Sequence, residues 1–237
     1  EMCIRDRAPT DPAEVPAELR TALEQLGLPP QFLKGFEFAV RPFAEHDIPF
    51  YVCPGTSAWN SLIGRLPNAR GNLLDAAVHG AAAGARGYLV TDWGDNGHLQ
   101  PPCTGLAALA YGAAISWCRE TNAERDDKEF ARALDASLFR DPTGTTGRTL
   151  VELGALYEQV GLRALNATPI SLALLAPLAR PEGRPAFQQW WGTTDPARIE
   201  AAAERLEEIA GEIGQARPEV GGDLVCREIA QATRLAR

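Results

Sequence analysis

Residues 87–98 read GYLVTDWGDNGH, and the first five of them decide how the chain is organised. Leu89 and Val90 sit in a short apolar run, bounded by Gly87 and by a polar loop that extends from Asp92 to Pro102. Such a run predicts a buried strand. A second one lies upstream at residues 48–53, Ile-Pro-Phe-Tyr-Val-Cys, and is stopped by Pro54-Gly55. Between the two, Leu73, Leu74, Ala77, Val78 and Ala81 recur at helical spacing before Gly84. Beyond the second run, Thr104 is placed to cap a helix with Leu106, Leu109, Ala113 and Trp117 on its apolar side. Strand, helix, strand, helix is the order of parallel βα units, because parallel neighbours need a crossover. A few such units cannot close a sheet on themselves, so the expected fold is α/β: the end of a barrel or doubly wound sheet. We read residues 8–124 as the incomplete C-terminal part of a (β/α)₈ TIM barrel.

Outward from that centre the signals change. Upstream, Val15, Leu19, Leu23 and Leu26 mark a helix ended by Gly27, and residues 32–40 form a short apolar stretch expected to be a strand. Residues 1–7, EMCIRDR, resemble a translated sequencing adapter and are set aside as non-native. Downstream, residues 125–237 read as an α-helical C-terminal domain. Asp126 is placed to cap a helix bearing Phe130, Leu134 and Leu138, and residues 139–148 are expected to be a loop. Leu150, Leu153, Leu156, Tyr157 and Val160 mark the next helix, and residues 170–178 another. Asp195-Pro196 is a cap followed by a first-turn proline, opening a long helix with Ile199, Leu206, Ile209 and Ile213 inside. Leu224, Val225, Ile229 and Ala232 mark the inner side of a last helix after Gly221-Gly222.

Composition narrows the functions. The 237 residues carry a net charge of −8 and no basic run, which argues against a nucleic-acid partner. No apolar stretch reaches the roughly 18 residues of a bilayer span, so no membrane partner is expected. Cys3, Cys53, Cys103, Cys118 and Cys226 are dispersed, without a paired CxxC. That pattern suits reduced thiols, leans towards a cytoplasmic setting, and offers no structural zinc. No cofactor or metal site is expected.

The densest cluster of unusual residues is Thr91-Asp92-Trp93-Gly94-Asp95-Asn96-Gly97-His98, just past the second strand. In βα barrels the C-terminal ends of strands form the active-site face. An indole offers a flat apolar surface to the C–H face of a pyranose, and a neighbouring carboxylate accepts bonds from its hydroxyls. Trp93 and Asp95 are therefore candidate sugar-binding residues; the competing reading has Trp93 packing at the rim and the acids making turns. The first strand ends in Cys53-Pro54-Gly55-Thr56-Ser57-Ala58-Trp59. That adds Tyr51 and Trp59 as candidates, against the alternative that Trp59 packs on a helix.

Other chemistries fit less well. Gly55-Thr56-Ser57-Ala58-Trp59 nearly forms a nucleophile elbow, with Asp95 and His98 in triad order, but lacks the final glycine. A calcium loop fails because Gly94 occupies an acidic position. Gly144-Thr145-Thr146-Gly147 lacks the lysine of a phosphate loop. His46 and His79 are isolated.

Residues 50–65, FYVCPGTSAWNSLIGR, and 87–101, GYLVTDWGDNGHLQP, resemble glycoside hydrolase family 20, the β-N-acetylhexosaminidases. The resemblance runs from about Gly35 to Asn122 and implies a (β/α)₈ barrel acting on an N-acetylhexosamine-containing carbohydrate. The implied mechanism is substrate-assisted and retaining: the acetamido oxygen attacks the anomeric carbon, a Glu protonates the leaving oxygen, and the preceding Asp holds the acetamido nitrogen. No segment here matches that Asp-Glu pair, so no catalytic residue is carried over, and this fragment is expected to be inactive. Trp93-Gly94-Asp95 matches the last-strand pattern of Trp, any residue, acid, with Asp where the family commonly has Glu. The resemblance implies that Trp93 walls the acetamido pocket and Asp95 bonds the far hydroxyls. Tyr51 would correspond to the Tyr that bonds the acetamido carbonyl, although Cys53 stands where an acid is often found. Trp59 is a pocket candidate only. A sugar-binding or scaffold module without catalysis is the alternative.

Overall fold

The computed structural model of the chain describes residues 35–94, 97–162, 164, 166–175, 188–189 and 191–237. The expected helix around Leu19, the residues set aside at 1–7, and Asp95 and Asn96 lie outside these. The first described element corrects a sequence expectation: Phe36–Glu45 is a helix, α1, where residues 32–40 read as a strand. Phe36 and Val40 are one helical turn apart and are the two residues α1 buries. In so short an apolar run, a spacing of four and an alternation of two look alike.

Next come β1 (Tyr51–Val52), α2 (Leu66–Ala82) and β2 (Gly87–Tyr88). The strands pair in parallel with Tyr51 opposite Gly87 and Val52 opposite Tyr88, and a parallel bridge joins Gly55 to Thr91. The expected crossover is thus present. Among the described residues the sheet ends at these two strands: the structure contains one βαβ unit rather than a closed barrel, and the rest is mainly helical. A 3-10 turn (Pro102–Gly105) leads into α3 (Leu106–Trp117). Thr104 does not cap α3 as expected; its Oγ1 donates to the Pro101 carbonyl inside that turn.

One face of the strand pair is covered. Val52 packs so near Gly80 of α2 that a Cβ there would meet its methyl at 2.8 Å. Val90 comes equally close to Gly112 of α3, and the Tyr88 hydroxyl donates to the Leu73 carbonyl. Alternation sends the intervening residues to the opposite face. There Tyr51 is 64% exposed and Leu89 55%. The buried side of α3 is Ala107, Ala108, Tyr111 and Ile115, so Leu109, Ala113 and Trp117, expected to face inward, face out instead; Trp117 is 91% exposed.

The helical part continues with α4 (Arg119–Ala123), α5 (Asp127–Ala133), a wide π turn (Leu134–Phe139), α6 (Thr146–Ala155) and a 3-10 turn (Leu156–Val160). Asp126 caps α5 as expected, accepting from the Glu129 amide at 2.7 Å. The predicted loop 139–148 is shorter in fact, because α6 begins at Thr146. Asp141 organises that start. It accepts from the amides and hydroxyls of Thr143 and Thr146, and from the Arg217 amide. Burial raises its pKa, but the Thr146 and Thr143 hydrogen bonds outweigh burial and hold the carboxyl well below the usual carboxylate range.

Then follow α7 (Pro169–Leu175), α8 (Pro196–Glu212) and α9 (Gly222–Ala236). Asp195 caps α8 through the Ala197 amide, with Pro196 in the first turn as read from the sequence. In α9, Val225, Ile229 and Ala232 are buried as expected, while Leu224 is exposed. Leu62, Leu73 and Tyr111 share one core with Phe130, Leu153, Leu206 and Ile229. This core runs across the boundary drawn at residues 124/125. No helix among the described residues is long and apolar enough to cross a membrane.

Candidate functional site

The C-terminal ends of the two strands are tied together by backbone bonds. The Thr91 amide donates to the Pro54 carbonyl at 2.8 Å, and the Thr56 amide to the Thr91 carbonyl at 2.9 Å. This arrangement places the loops after Val52 and after Tyr88 side by side, which is where a parallel sheet binds ligands.

Trp93 lies beyond the strand pair, in the loop that follows Thr91. It is 50% exposed, and its Nε1 donates to Thr91 Oγ1 at 3.0 Å. That hydroxyl in turn donates to the Pro54 carbonyl at 3.2 Å, so the indole plane is held by a two-bond tether. Tyr51 lies across Gly87, whose missing Cβ would fall 2.3 Å from the ring. Tyr51 and Trp93 are thus both exposed, but Tyr51 is level with Gly87, six positions before Trp93, and no ring contact joins the two among the described residues. Asp95 lies outside the described residues.

Trp59 is placed differently from the sequence expectation. It is 1% exposed, its Nε1 donates to Asn166 Oδ1 at 2.9 Å, and the Arg65 guanidinium sits 5.9 Å from its ring centre. It packs within the fold, the alternative weighed for it above, and does not line an open pocket.

The acid the structure does place here is Asp92, singled out in sequence only as part of the loop. It accepts a short hydrogen bond from the Thr56 hydroxyl, and the His98 Nε2 is 3.5 Å from its other oxygen. Ser57 is fully buried and its Oγ has no hydrogen-bond partner among the described residues. The serine-hydrolase arrangement is accordingly not assembled among the described residues, since His98 stands on Asp92 and the Ser57 Oγ has no partner there, although the Ser57 carbonyl accepts from Arg65 Nε. Ser57, Asn60, Leu62 and His98 all adopt positive φ between 51° and 71°. Left-handed backbone at non-glycine residues costs free energy and gathers around functional loops.

The remaining candidates are ordinary. His46 donates to the Pro42 carbonyl, and His79 pairs with Asp75 at 3.5 Å. No group of three or more metal-binding side chains occurs among the described residues. Cys53, Cys103, Cys118 and Cys226 are free thiols. Burial, followed by the neighbouring Glu228 carboxylate, pushes Cys103 far above its usual range, which makes it a poor nucleophile. The chain matches no family model, no curated protein and no solved structure.

Proposed function

We propose that the chain is the C-terminal part of a (β/α)₈-barrel glycoside hydrolase that removes terminal non-reducing N-acetylhexosamine residues. The observation that carries the reading is the one-sided covering of the strand pair. Parallel strands are normally buried on both faces. Here Val52, Tyr88 and Val90 are packed under α2 and α3, while Tyr51, Leu89 and Trp93 face solvent. A barrel interior would enclose that second face. The outward Leu109, Ala113 and Trp117 of α3 fit the same reading, as the surface on which a preceding barrel helix would pack.

In this reading Trp93 walls the acetamido pocket, with its ring plane fixed through Thr91. Tyr51 bonds the acetamido carbonyl and Asp95 accepts from the distal hydroxyls. The acid that protonates the leaving oxygen, and the carboxylate that orients the acetamido group, come from earlier strands of the parent enzyme. Attack on the anomeric carbon is by the substrate's own acetamido oxygen.

The test is hydrolysis of a chromogenic N-acetylglucosaminide by two proteins. The present chain should be inert, and the chain extended upstream through an Asp-Glu pair should turn over. In the extended enzyme Trp93→Ala should lower kcat/KM at least tenfold, equivalent to about 1.4 kcal/mol of transition-state binding. Turnover by the short chain, or none by the extended one, refutes the proposal.

A further inference from the structure

A cavity of about 860 Å³ lies away from the strand ends, between α2 and Tyr111 of α3 on one side and Val151, Tyr157 and Leu162 on the other. Its size falls within the roughly 300–1,000 Å³ of small-molecule sites, and crevices between packed substructures are where such sites occur. Leu66, Leu74, Tyr111 and Val151 give it apolar walls. Four charged residues also line it: Arg70, Asp127, Glu158 and Arg198.

The two arginines differ. Arg70 is committed: Nη1 lies 2.5 Å from Asp127 Oδ1, Nη2 donates to the Arg125 carbonyl, and the guanidinium lies 4.9 Å from the Tyr111 ring centre. Its charge is neutralised within the wall. Arg198 has no side-chain hydrogen bond or ion pair with any described residue. Its guanidinium lies against Gly161, so close that a Cβ there would sit 2.0 Å from Nη1. Gly161 has φ +80°, and the absence of a side chain leaves that berth open. Arg198 is an exposed planar cation at the rim of a cavity with mixed polar and apolar walls, and with no side-chain partner among the described residues it matches a carboxylate or sulfonate on an apolar body.

We infer that this cavity is a binding site for a small organic anion, with Arg198 taking the anionic group and the α2–α3–α6 walls taking the apolar body. The site is independent of the sugar reading, since none of its lining residues belongs to the strand ends.

The inference can be tested on the chain as it stands with 8-anilinonaphthalene-1-sulfonate, followed by fluorescence, and with the uncharged N-phenyl-1-naphthylamine as its control. Arg198→Ala should weaken the sulfonate at least tenfold and the neutral analogue less than twofold. Gly71 supplies a second variant. It lines the cavity from within α2, and a Cβ added there would have no neighbour within 4 Å. Gly71→Leu should therefore place an apolar side chain at the cavity wall and weaken both probes at least tenfold. Failure of the sulfonate to bind, or binding that both variants leave within twofold of the parent, overturns the inference. Binding lost in Gly71→Leu but untouched in Arg198→Ala also overturns it, because the anion would then play no part.

Discussion

Replacing Asp141 with Asn should destabilise the fold by about 3 kcal/mol while leaving its shape almost unchanged. The carboxylate receives five donors: Thr143 N and Oγ1 with Arg217 N on one oxygen, and Thr146 N and Oγ1 on the other. An asparagine keeps only one acceptor oxygen. Its amide group would confront the Thr146 amide, leaving a buried N–H orphaned at about 2 kcal/mol, and would forfeit the hydroxyl bond at about 1 kcal/mol. The three bonds that survive weaken, an effect offset by relief from burying a charge. The sign of the pH dependence follows from the direction of the shift. The folded-state pKa lies below the unfolded value of about 3.9, so the stabilisation is present above pH 4 and is lost as pH falls towards the folded value. Urea titrations of both proteins, followed by circular dichroism, measure the difference directly. It should be about 3 kcal/mol at pH 7 and shrink by about 1 kcal/mol between pH 4 and pH 3. A loss under 1 kcal/mol at pH 7, or a difference that does not move below pH 4, would refute the account of Asp141 as an ionised anchor.

Other substitutions separate packing from surface. Trp59→Ala should cost about 3–5 kcal/mol in the same urea assay, since the ring is 1% exposed, whereas Trp93→Ala at a half-exposed position should stay within about 1 kcal/mol. Equal losses would overturn the distinction between core and rim. Gly147→Ala should destabilise by about 2–4 kcal/mol, because a Cβ would lie 2.5 Å from the Ala131 carbonyl and 2.9 Å from Leu134 Cβ where α5 and α6 touch. Gly71→Ala should do the reverse: its added methyl meets nothing within 4 Å on α2, and stability should rise by about 0.5–1 kcal/mol, read as a higher Tm.

The sequence was most readable where local chemistry leaves one option. Asp195-Pro196 and Asp126 mark helix starts through caps, and both caps are present. The spacing of Leu150, Leu153, Leu156 and Tyr157 identifies buried positions because helical periodicity dictates which side chains align; all four are buried. The parallel pair was legible because two apolar runs thirty-odd residues apart, with a helix between, have few other arrangements. What the sequence concealed depends on neighbours. Leu109, Ala113 and Trp117 form as regular an apolar stripe as Ala107, Tyr111 and Ile115, and spacing cannot say which one meets α2. Trp59 and Trp93 each follow a strand in a glycine-containing loop, yet one donates to Asn166, 107 residues away, and the other to Thr91 two residues away. Asp92 reads in sequence as a turn-forming loop acid, because its partner Thr56 is 36 residues away and only the crossover brings it near.

The core that joins Leu73 and Tyr111 to Phe130, Leu206 and Ile229 has an evolutionary implication. A cassette can be shuffled between proteins only when its inner surface is its own, and here the larger of the two cores draws on both halves. Grafting the helical segment onto another scaffold, or deleting it, would strip Tyr111 of the Phe130 ring packed edge-on against it. A change of size at Tyr111 should therefore be tolerated only with a compensating change at Phe130, across the seam.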